Sequence, residues 1–265
     1  MNVVKAHAYG NDFLLMPDPG DVADLPGLAR AACDRHRGIG ADGLMLYRLR
    51  DRAASMRLLN ADGSWSELSG NGVRCLAALV ARTQDLAAGV TVDVDTEAGL
   101  KRLDLLACAG VRYEFRAAMG APTELRQEQI AVLGETVTAS VLRIGNPQCV
   151  VLGPLPSRER FDVLGPALST HAMFPAGTNV EFVEVEAPDR VRILIWERGV
   201  GPTSSSGTGS SASAVAAAMH GGASRSIDVV APGGTQRVEW LTDEVYLTGW
   251  AEIVLEGRWL GRSAE

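Results

Sequence analysis

Cysteine is scarce in this chain, and its four copies follow no pattern that is typical of a metal site or a disulfide framework. Cys33, Cys75, Cys108 and Cys149 are scattered, with no CxxC pair and no cysteine–histidine ligand spacing. We interpret them as reduced thiols, and Cys75, inside an apolar run, as a small core residue rather than a nucleophile. The four histidines also lack paired ligand spacing. The sequence therefore predicts no metal site.

Basic clusters and long apolar runs are also missing. The formal net charge is −7, and no basic patch with interleaved aromatic residues is present, so neither nucleic acid nor an anionic membrane is expected as a partner. No stretch approaches the ~18 apolar residues of a membrane span, and residues 1–7 contain no apolar signal-peptide segment. These absences predict a cytoplasmic protein, and its 265 residues suffice for two domains with cores of their own.

What the chain does contain is an internal repeat. The tetrad Ser-Gly-Asn-Gly at 69–72 returns as Ser-Gly-Thr-Gly at 206–209, an offset of 137 residues. Gly-Ala-Asp at 40–42 and Gly-Thr-Asn at 177–179 keep the same offset, as do Asn60 and Glu197. Gly-Asn-Asp at 10–12 and Gly-Asn-Pro at 145–147 are offset by 135. This pattern predicts two similar domains with a site built between them.

Residue periodicity predicts how each domain is built. Period-two alternation of apolar residues is the commonest pattern and indicates strands, while helices are expected at 25–36, 71–82 and 209–220. The last of these has no polar face, which is typical of a helix buried on all sides. We predict an α+β fold of two pseudo-symmetric domains, each a barrel-like, mostly antiparallel sheet around a central helix. The predicted domains are 1–119, with about 251–265 returning to it, and 120–250.

Each serine tetrad precedes a predicted helix. Ser69 and Ser206 are therefore candidate N-caps, and the amides of Gly70, Asn71, Gly207 and Thr208 are candidate donors to a carboxylate, since helix N-termini favour anions. Four asparagines in glycine-containing turns, together with Glu197-Arg198 at the end of an apolar strand, would suit an amino-acid ligand. These asparagines are Asn11, Asn60, Asn146 and Asn179.

The same segments resemble the bacterial diaminopimelate epimerase family. They are Gly10–Phe13, Gly38–Gly43, Asn60–Ser64, Gly70–Cys75, Gly145–Pro147, Gly177–Phe182 and Trp196–Gly201. The resemblance runs from Lys5 to about Gly249. It implies a cofactor-free isomerase that interconverts LL- and meso-diaminopimelate in lysine and peptidoglycan synthesis, with its site in the cleft between two mirror-related domains. It also implies a small amino-acid substrate and a homodimer.

The resemblance also implies residue roles. It places the reacting carboxylate on the amides of Gly70, Asn71, Gly207 and Thr208, and it assigns substrate binding to Asn11, Asn60, Asn146, Asn179, Glu197 and Arg198, with Arg198 on the distal carboxylate. The family's two proton-transfer residues are cysteines, whereas this chain has Ser69 and Ser206. Gln148 stands where the family usually has a histidine. These three residues, with Glu197, are the candidate catalytic positions.

The serines leave three functions open. A serine hydroxyl is a far weaker acid than a thiol and needs an adjacent base, a part that Asp42, Asp62 or Glu197 could take. The first hypothesis is therefore a two-base diaminopimelate epimerase with serines in the base positions. The second is another enzyme of the superfamily, an amino-acid racemase or hydroxyproline dehydratase. The third is a non-catalytic amino-acid-binding protein.

Overall fold

The computed structural model describes residues 1–20, 23–66 and 69–261. The described residues form four helices and many strands, which confirms the predicted mixture of helix and sheet. The chain divides into two compact units: unit 1 comprises Met1–Ala117 and the C-terminal segment from Gly249, and unit 2 comprises Ala118–Thr248. The domain division predicted from the sequence stays a prediction, since compactness alone does not show that a unit folds by itself.

The order of strands and helices in the first half of the chain is repeated in the second half, starting at Glu135. The first half forms β1 (Asn2–Ala8), β2 (Asn11–Pro17), α1 (Leu25–Cys33), β3 (Gly43–Arg50), β4 (Ala53–Asn60), β5 (Trp65–Ser66), α2 (Gly70–Thr83), β6 (Thr91–Thr96), β7 (Gly99–Ala109), β8 (Arg112–Gly120) and β9 (Thr123–Val132). The second forms β10 (Glu135–Ile144), β11 (Asn146–Leu152), α3 (Arg158–Ser169), β12 (Asn179–Ala187), β13 (Arg190–Glu197), β14 (Gly201–Thr203), α4 (Gly207–His220), β15 (Ser226–Ala231), β16 (Gly234–Leu241) and β17 (Glu244–Arg258).

In unit 1 the strand pairing closes on itself. The order β1–β2–β3–β4–β6–β7–β8 continues to β17, which returns to pair with β1. Only β2–β3 and β4–β6 are parallel among these pairs with a described register. Helix α2 is buried from Asn71 to Ala81 and shares its apolar core with residues of this sheet. Its first turn is thereby fixed relative to the strand ends.

Unit 2 repeats this pairing. Strands β9, β10, β11, β12, β13, β15, β16 and β17 follow one another in the sheet, and β11–β12 and β13–β15 are the parallel pairs. Helix α4 is buried from Gly207 to Ala217 except at Thr208, as its lack of a polar face predicts. Its alanine and serine side chains let the surrounding strands approach closely.

Two helices differ from the sequence expectation. Helix α1 ends at Cys33 rather than His36, because Asp34 leaves the helical conformation and its side chain accepts the amides of His36 and Arg37 instead. Helix α3 was not predicted, since Gly165 and Pro166 lower its intrinsic helix propensity. It buries Phe161, Leu164 and Leu168, which offsets that cost. Among the described residues, no helix is long and apolar enough to cross a membrane.

Candidate active site

Ser69 and Ser206 cap their helices with nearly the same geometry. Their backbone angles are φ −131°, ψ 118° for Ser69 and φ −141°, ψ 126° for Ser206. Ser69 Oγ accepts the amide of Gly72 at 3.1 Å, and Ser206 Oγ accepts the amide of Gly209 at 3.1 Å. The predicted N-caps are confirmed. Each hydroxyl oxygen is consequently fixed at the positive end of a helix, beside first-turn amides for which the helix has no internal acceptor.

The two first turns differ in their surroundings. A Cβ added to Gly70 would meet nothing within 4 Å, so this turn of α2 faces open space. A Cβ on Gly207 would lie 3.2 Å from Leu247 Cδ2. Ser69 is half-buried, whereas Ser206 is buried. The turn of α2 is the more accessible of the two.

In unit 1 the predicted asparagines lie at one edge of the sheet. Asn11 begins β2 and Asn60 ends β4, with Asp42 immediately before β3 between them. Asn11 Nδ2 donates to Asp42 Oδ2 at 2.9 Å, and Asn71 Nδ2 lies 3.4 Å from Asn11 Oδ1. Asn60 instead donates to Ser64 Oγ at 2.9 Å. The structure thus links Asn11 to the first turn of α2, with Asn60 beside them on the neighbouring strand end.

A buried guanidinium lies beneath this turn. Arg74 is 3% exposed, and its Nη2 donates to Asn71 Oδ1. Its Nε has no hydrogen-bond partner within the part of the chain that the structure describes. The Cζ atom of the guanidinium lies 5.8 Å from the centroid of the Tyr9 ring. Burial lowers the pKa of Arg74, although arginine keeps its charge in proteins. A positive charge inside unit 1 therefore holds the side-chain amide of Asn71.

Ion pairs fix the Asn11 turn from outside. Asp12 lies 2.9 Å from Lys5 Nζ and 2.7 Å from Arg35 Nη2, and Arg35 also reaches Asp42 Oδ1 at 2.8 Å. Burial alone would raise the pKa of Asp12, but hydrogen bonds to Arg35 and Lys5 outweigh it and lower the value to about 2. The sequence analysis assigned Lys5, Asp12 and Arg35 no role. Asp12 follows Asn11 directly, but nothing in the sequence shows that Arg35 reaches it.

Two of the carboxylates considered as bases for the serines already accept other hydrogen bonds. Asp42 accepts from Asn11, from the amide of Asp12 and from Arg35. Asp62 accepts the hydroxyl and the amide of Ser64, which lower its pKa. The oxygens of both carboxylates are therefore already used as acceptors of internal hydrogen bonds. Cys75 is fully buried, and burial raises its pKa to about 12, which rules it out as a thiolate near neutral pH.

In unit 2 the second set of predicted residues lies at the equivalent strand ends. Gln148 of β11 is opposite Asn179 of β12 in the parallel register. Asn179 Oδ1 accepts the amide of Arg198 at 3.0 Å, and Arg198 Nη1 donates to Ala176 O at 2.9 Å. Glu197, the last residue of β13, comes directly before Arg198. The guanidinium of Arg198 is exposed and retains donors for a further carboxylate.

Gln148 connects Ser206 to a buried carboxyl group. One end of its side-chain amide lies 3.0 and 3.2 Å from the two carboxyl oxygens of Glu181. The other end lies 3.3 Å from Thr208 Oγ1 and also contacts the Asn146 side chain. Thr208 Oγ1 is in turn 3.3 Å from Ser206 Oγ. The four side chains form a continuous hydrogen-bonded chain inside unit 2.

Two carboxyl groups near this chain, those of Glu181 and Glu197, are shifted toward their neutral forms. Glu181 is fully buried, and burial, reinforced by the nearby charge of Glu197, raises its pKa well above the ordinary value. Burial also raises the pKa of Glu197. Glu181 was missed as a site residue. It lies in the quoted segment 177–182, but its approach to Gln148 depends on the pairing of β11 with β12.

The comparisons with known proteins agree with the resemblance in the sequence. A sequence profile of the family described as diaminopimelate epimerase matches residues 3–122 and 140–254. A diaminopimelate epimerase from Desulforudis audaxviator is 43% identical, covering 98% of this chain and 99% of its own length. One from Microcystis aeruginosa is 39% identical and covers 96% of each chain.

Solved structures show the same fold at low sequence identity. A predicted epimerase from Pseudomonas aeruginosa superposes with a TM-score of 0.72 at 14% identity, covering 98% of this chain and 99% of its own. A hydroxyproline epimerase from Agrobacterium vitis, solved with bound trans-4-hydroxy-L-proline, gives a TM-score of 0.70 at 19% identity, covering 99% and 93%. At these identities the likeness concerns the fold alone.

We expect the substitution Ser69→Ala to lower the free energy of unfolding by about 1 kcal/mol, because Gly72 loses its acceptor. Asparagine is an equally good N-cap, so Ser69→Asn should stay within a few tenths of a kcal/mol of the original. Urea unfolding followed by circular dichroism measures both. Equal losses in the two variants would mean that the cap does not stabilise α2.

The substitution Asp12→Asn should lower the free energy of unfolding at neutral pH by about 1 kcal/mol. A larger loss is not expected, because the Arg35 side chain is half exposed and solvent screens its ion pair with Asp12. Since the pKa of Asp12 is lowered in the folded state, its contribution is complete above about pH 4 and fades as the pH approaches about 2. The stability difference should therefore narrow over that interval. Asp51→Asn, at a side chain that is 87% exposed, should show no such difference.

Gly177 and Gly222 provide a matched pair, because both have positive φ, 72° and 75°. Alanine at either position carries the left-handed strain of about 1–2 kcal/mol. At Gly177 its Cβ would also lie 2.9 Å from Arg198 Cδ, whereas Gly222 has nothing within 4 Å. Gly177→Ala should therefore destabilise more than Gly222→Ala in the same unfolding assay. Equal destabilisation would show that Arg198 is not packed against Gly177.

Proposed function

Because the chain belongs to the diaminopimelate epimerase family, a family of isomerases, we propose that it epimerises diaminopimelate at the α-carbon. The reaction would interconvert the LL and meso forms by proton transfer without a cofactor, with Ser69 and Ser206 in the two proton-transfer positions. The observation that carries the proposal is the duplicated helix cap, in which each serine oxygen lies at a helix N-terminus of nearly identical geometry.

Helix N-termini are suited to the charge that this reaction develops. Removing the α-proton of an amino acid moves negative charge onto its carboxylate, and first-turn amides at a positive helix end stabilise that charge. The amides of Gly70, Asn71, Gly207 and Thr208 are the proposed donors. Asn11, Asn60, Asn146 and Asn179 are the proposed contacts to the rest of the substrate, together with Glu197.

Arg198 favours a substrate with a second carboxylate. Its backbone amide and its Nη1 are already bonded to Asn179 and Ala176, so the side chain is held in place while other guanidinium donors stay available. A planar guanidinium binds a carboxylate through two parallel hydrogen bonds. Diaminopimelate has a distal carboxylate for this contact, whereas a proline-like substrate has none.

The serine hydroxyls limit the expected rate. A cysteine thiol has an ordinary pKa of about 8.5, whereas serine requires an adjacent base to become a nucleophile or a proton acceptor. Gln148 is not a base, and Asp42 and Asp62 are committed to other hydrogen bonds. A second candidate function is therefore an amino-acid-binding protein that uses the same contacts without turnover. Another racemase or a hydroxyproline dehydratase is the third candidate.

The deciding experiment is exchange of the α-proton of LL- and meso-diaminopimelate in heavy water. We expect slow exchange by the original protein and an increase of about a hundredfold or more in Ser69→Cys/Ser206→Cys, because a base positioned with a suitable pKa contributes about 10²–10⁴. Ser69→Ala/Ser206→Ala should exchange nothing. Cys75→Ser serves as the control for thiol content and should leave the rate unchanged.

Calorimetric titration with diaminopimelate separates the alternatives. Binding without exchange in both the original and the double-cysteine protein would favour the binding function and overturn the epimerase. Absence of binding would overturn both and direct the search to a panel of amino and hydroxyproline acids. A cytoplasmic location, a homodimer and the lack of a cofactor stay predictions.

A further inference from the structure

The chain of side chains beneath α4 has only two consistent hydrogen-bonding patterns. Its ends are the carboxyl group of Glu181 and the hydroxyl of Ser206, and its middle members are the Gln148 amide and the Thr208 hydroxyl. An amide has a donor end and an acceptor end, and each hydroxyl has one proton. An ionised Glu181 therefore sets the direction of every bond, whereas a protonated Glu181 can both donate and accept and so allows either direction.

An ionised Glu181 gives the first pattern. A carboxylate only accepts, so the amide nitrogen of Gln148 must face its oxygens at 3.0 and 3.2 Å. The Gln148 oxygen then accepts the Thr208 hydroxyl at 3.3 Å, and Thr208 accepts the Ser206 hydroxyl at 3.3 Å. In this pattern the Asn146 amide turns its nitrogen toward the Gln148 oxygen. The proton of Ser206 points into the chain. A lone pair of Ser206 Oγ is left for an outside donor.

A protonated Glu181 makes the reverse pattern available. Its hydroxyl donates to the Gln148 oxygen, and the Gln148 nitrogen donates to Asn146 Oδ1. In this pattern the second proton of that nitrogen is directed at Thr208, and Thr208 donates to Ser206 Oγ. Ser206 Oγ still accepts the Gly209 amide at 3.1 Å, so its acceptor sites are occupied. The proton of Ser206 then points out of the chain.

We propose that Glu181 is a positioning residue that sets the direction of this chain and thereby decides whether Ser206 presents a proton or a lone pair. The change adds or removes one proton at Glu181. The Gln148 and Asn146 amides each rotate by half a turn, and two hydroxyl protons rotate. If the proposed function holds, the two patterns correspond to the acid and the base forms of the Ser206 position.

The surroundings of Glu181 allow both states. The charge of Glu197, at the end of β13, disfavours the ionised form of Glu181. Cys149, on β11, lies near enough to Glu181 that the carboxyl charge raises the pKa of the Cys149 thiol. On the other side, the first turn of α4 favours the ionised form through its dipole. Gly209 permits that approach, since a Cβ there would lie 2.7 Å from Glu181 Oε1. Glycine at this position therefore serves the contact between helix and carboxyl group.

Nuclear magnetic resonance tests the proposal on the intact chain without requiring turnover. The sequence has five glutamines, Gln84, Gln127, Gln129, Gln148 and Gln236, so ¹⁵N-glutamine labelling gives few side-chain signals. Gln148→Met identifies the Gln148 pair. We expect this pair to shift with a single inflection at a pH above the ordinary glutamic acid range of about 4.3. The inflection should be lost in Glu181→Gln and kept in Glu184→Gln, a control on the same strand.

The backbone amide of Gly209 reports the far end of the chain, because it donates to Ser206 Oγ. It should show the same inflection in the original protein and a smaller one in Thr208→Val, since Glu181 also lies beside Gly209, while the Gln148 pair keeps its own. The substitution Glu197→Gln keeps Glu181 but removes the nearby charge that raises its pKa, so the inflection should move to lower pH. This variant is used as the test if Glu181→Gln does not fold.

Three results would overturn the proposal: a Gln148 pair that does not move with pH, an inflection that survives in Glu181→Gln, or a Gly209 inflection of unchanged size in Thr208→Val. Failure of the proposed epimerase function would appear instead as absent α-proton exchange with these titrations intact.

Discussion

The hydrogen bond from a first-turn helix amide to the serine hydroxyl before it is the constraint on which the candidate residues of each unit depend. Ser69 Oγ with Gly72 N, and Ser206 Oγ with Gly209 N, fix where each helix begins. The preceding first-turn amides then point in a defined direction, and buried helices hold that direction against the sheets. A loop serine could not combine a positioned oxygen with a positive helix end in this way. The cap therefore explains why the same short motif recurs in both halves of the chain.

The parts of the site that sequence predicts are the local ones. An N-cap involves residues three apart, so the motif at 69–72 or 206–209 contains its own geometry, and a glycine-flanked asparagine marks a turn wherever it occurs. Glu181 could not be assigned in this way, because its contact with Gln148 requires β11 and β12 to pair in parallel. The same holds for Arg35, which reaches Asp12 across 23 residues of sequence. Helix α3 was missed because its glycine and proline oppose a helix that tertiary burial stabilises.

The two copies of the frame share geometry but not electrostatics. Beneath the first turn of α2 lies the guanidinium of Arg74, a buried cation bonded to Asn71. Beneath the first turn of α4 lies Glu181, a buried carboxyl group joined to Thr208 through Gln148. A buried cation and a buried carboxyl group with a raised pKa cannot give their neighbouring serines the same acidity, because low-dielectric surroundings strengthen both effects.

This electrostatic difference between Arg74 and Glu181 affects how two similar units could take part in proton transfer. A two-base reaction needs one group that accepts and one that donates, and these roles exchange when the reaction runs backward. On the Ser69 side, Arg74 stabilises negative charge at a fixed position and cannot lose its own proton near neutral pH. On the Ser206 side, Glu181 can change its protonation state, and the hydrogen-bonded chain can follow it. With a permanent cation near Ser69 and a titratable acid near Ser206, only the Ser206 side could change the direction of its hydrogen bonds. The direction of proton transfer would then be governed mainly from unit 2.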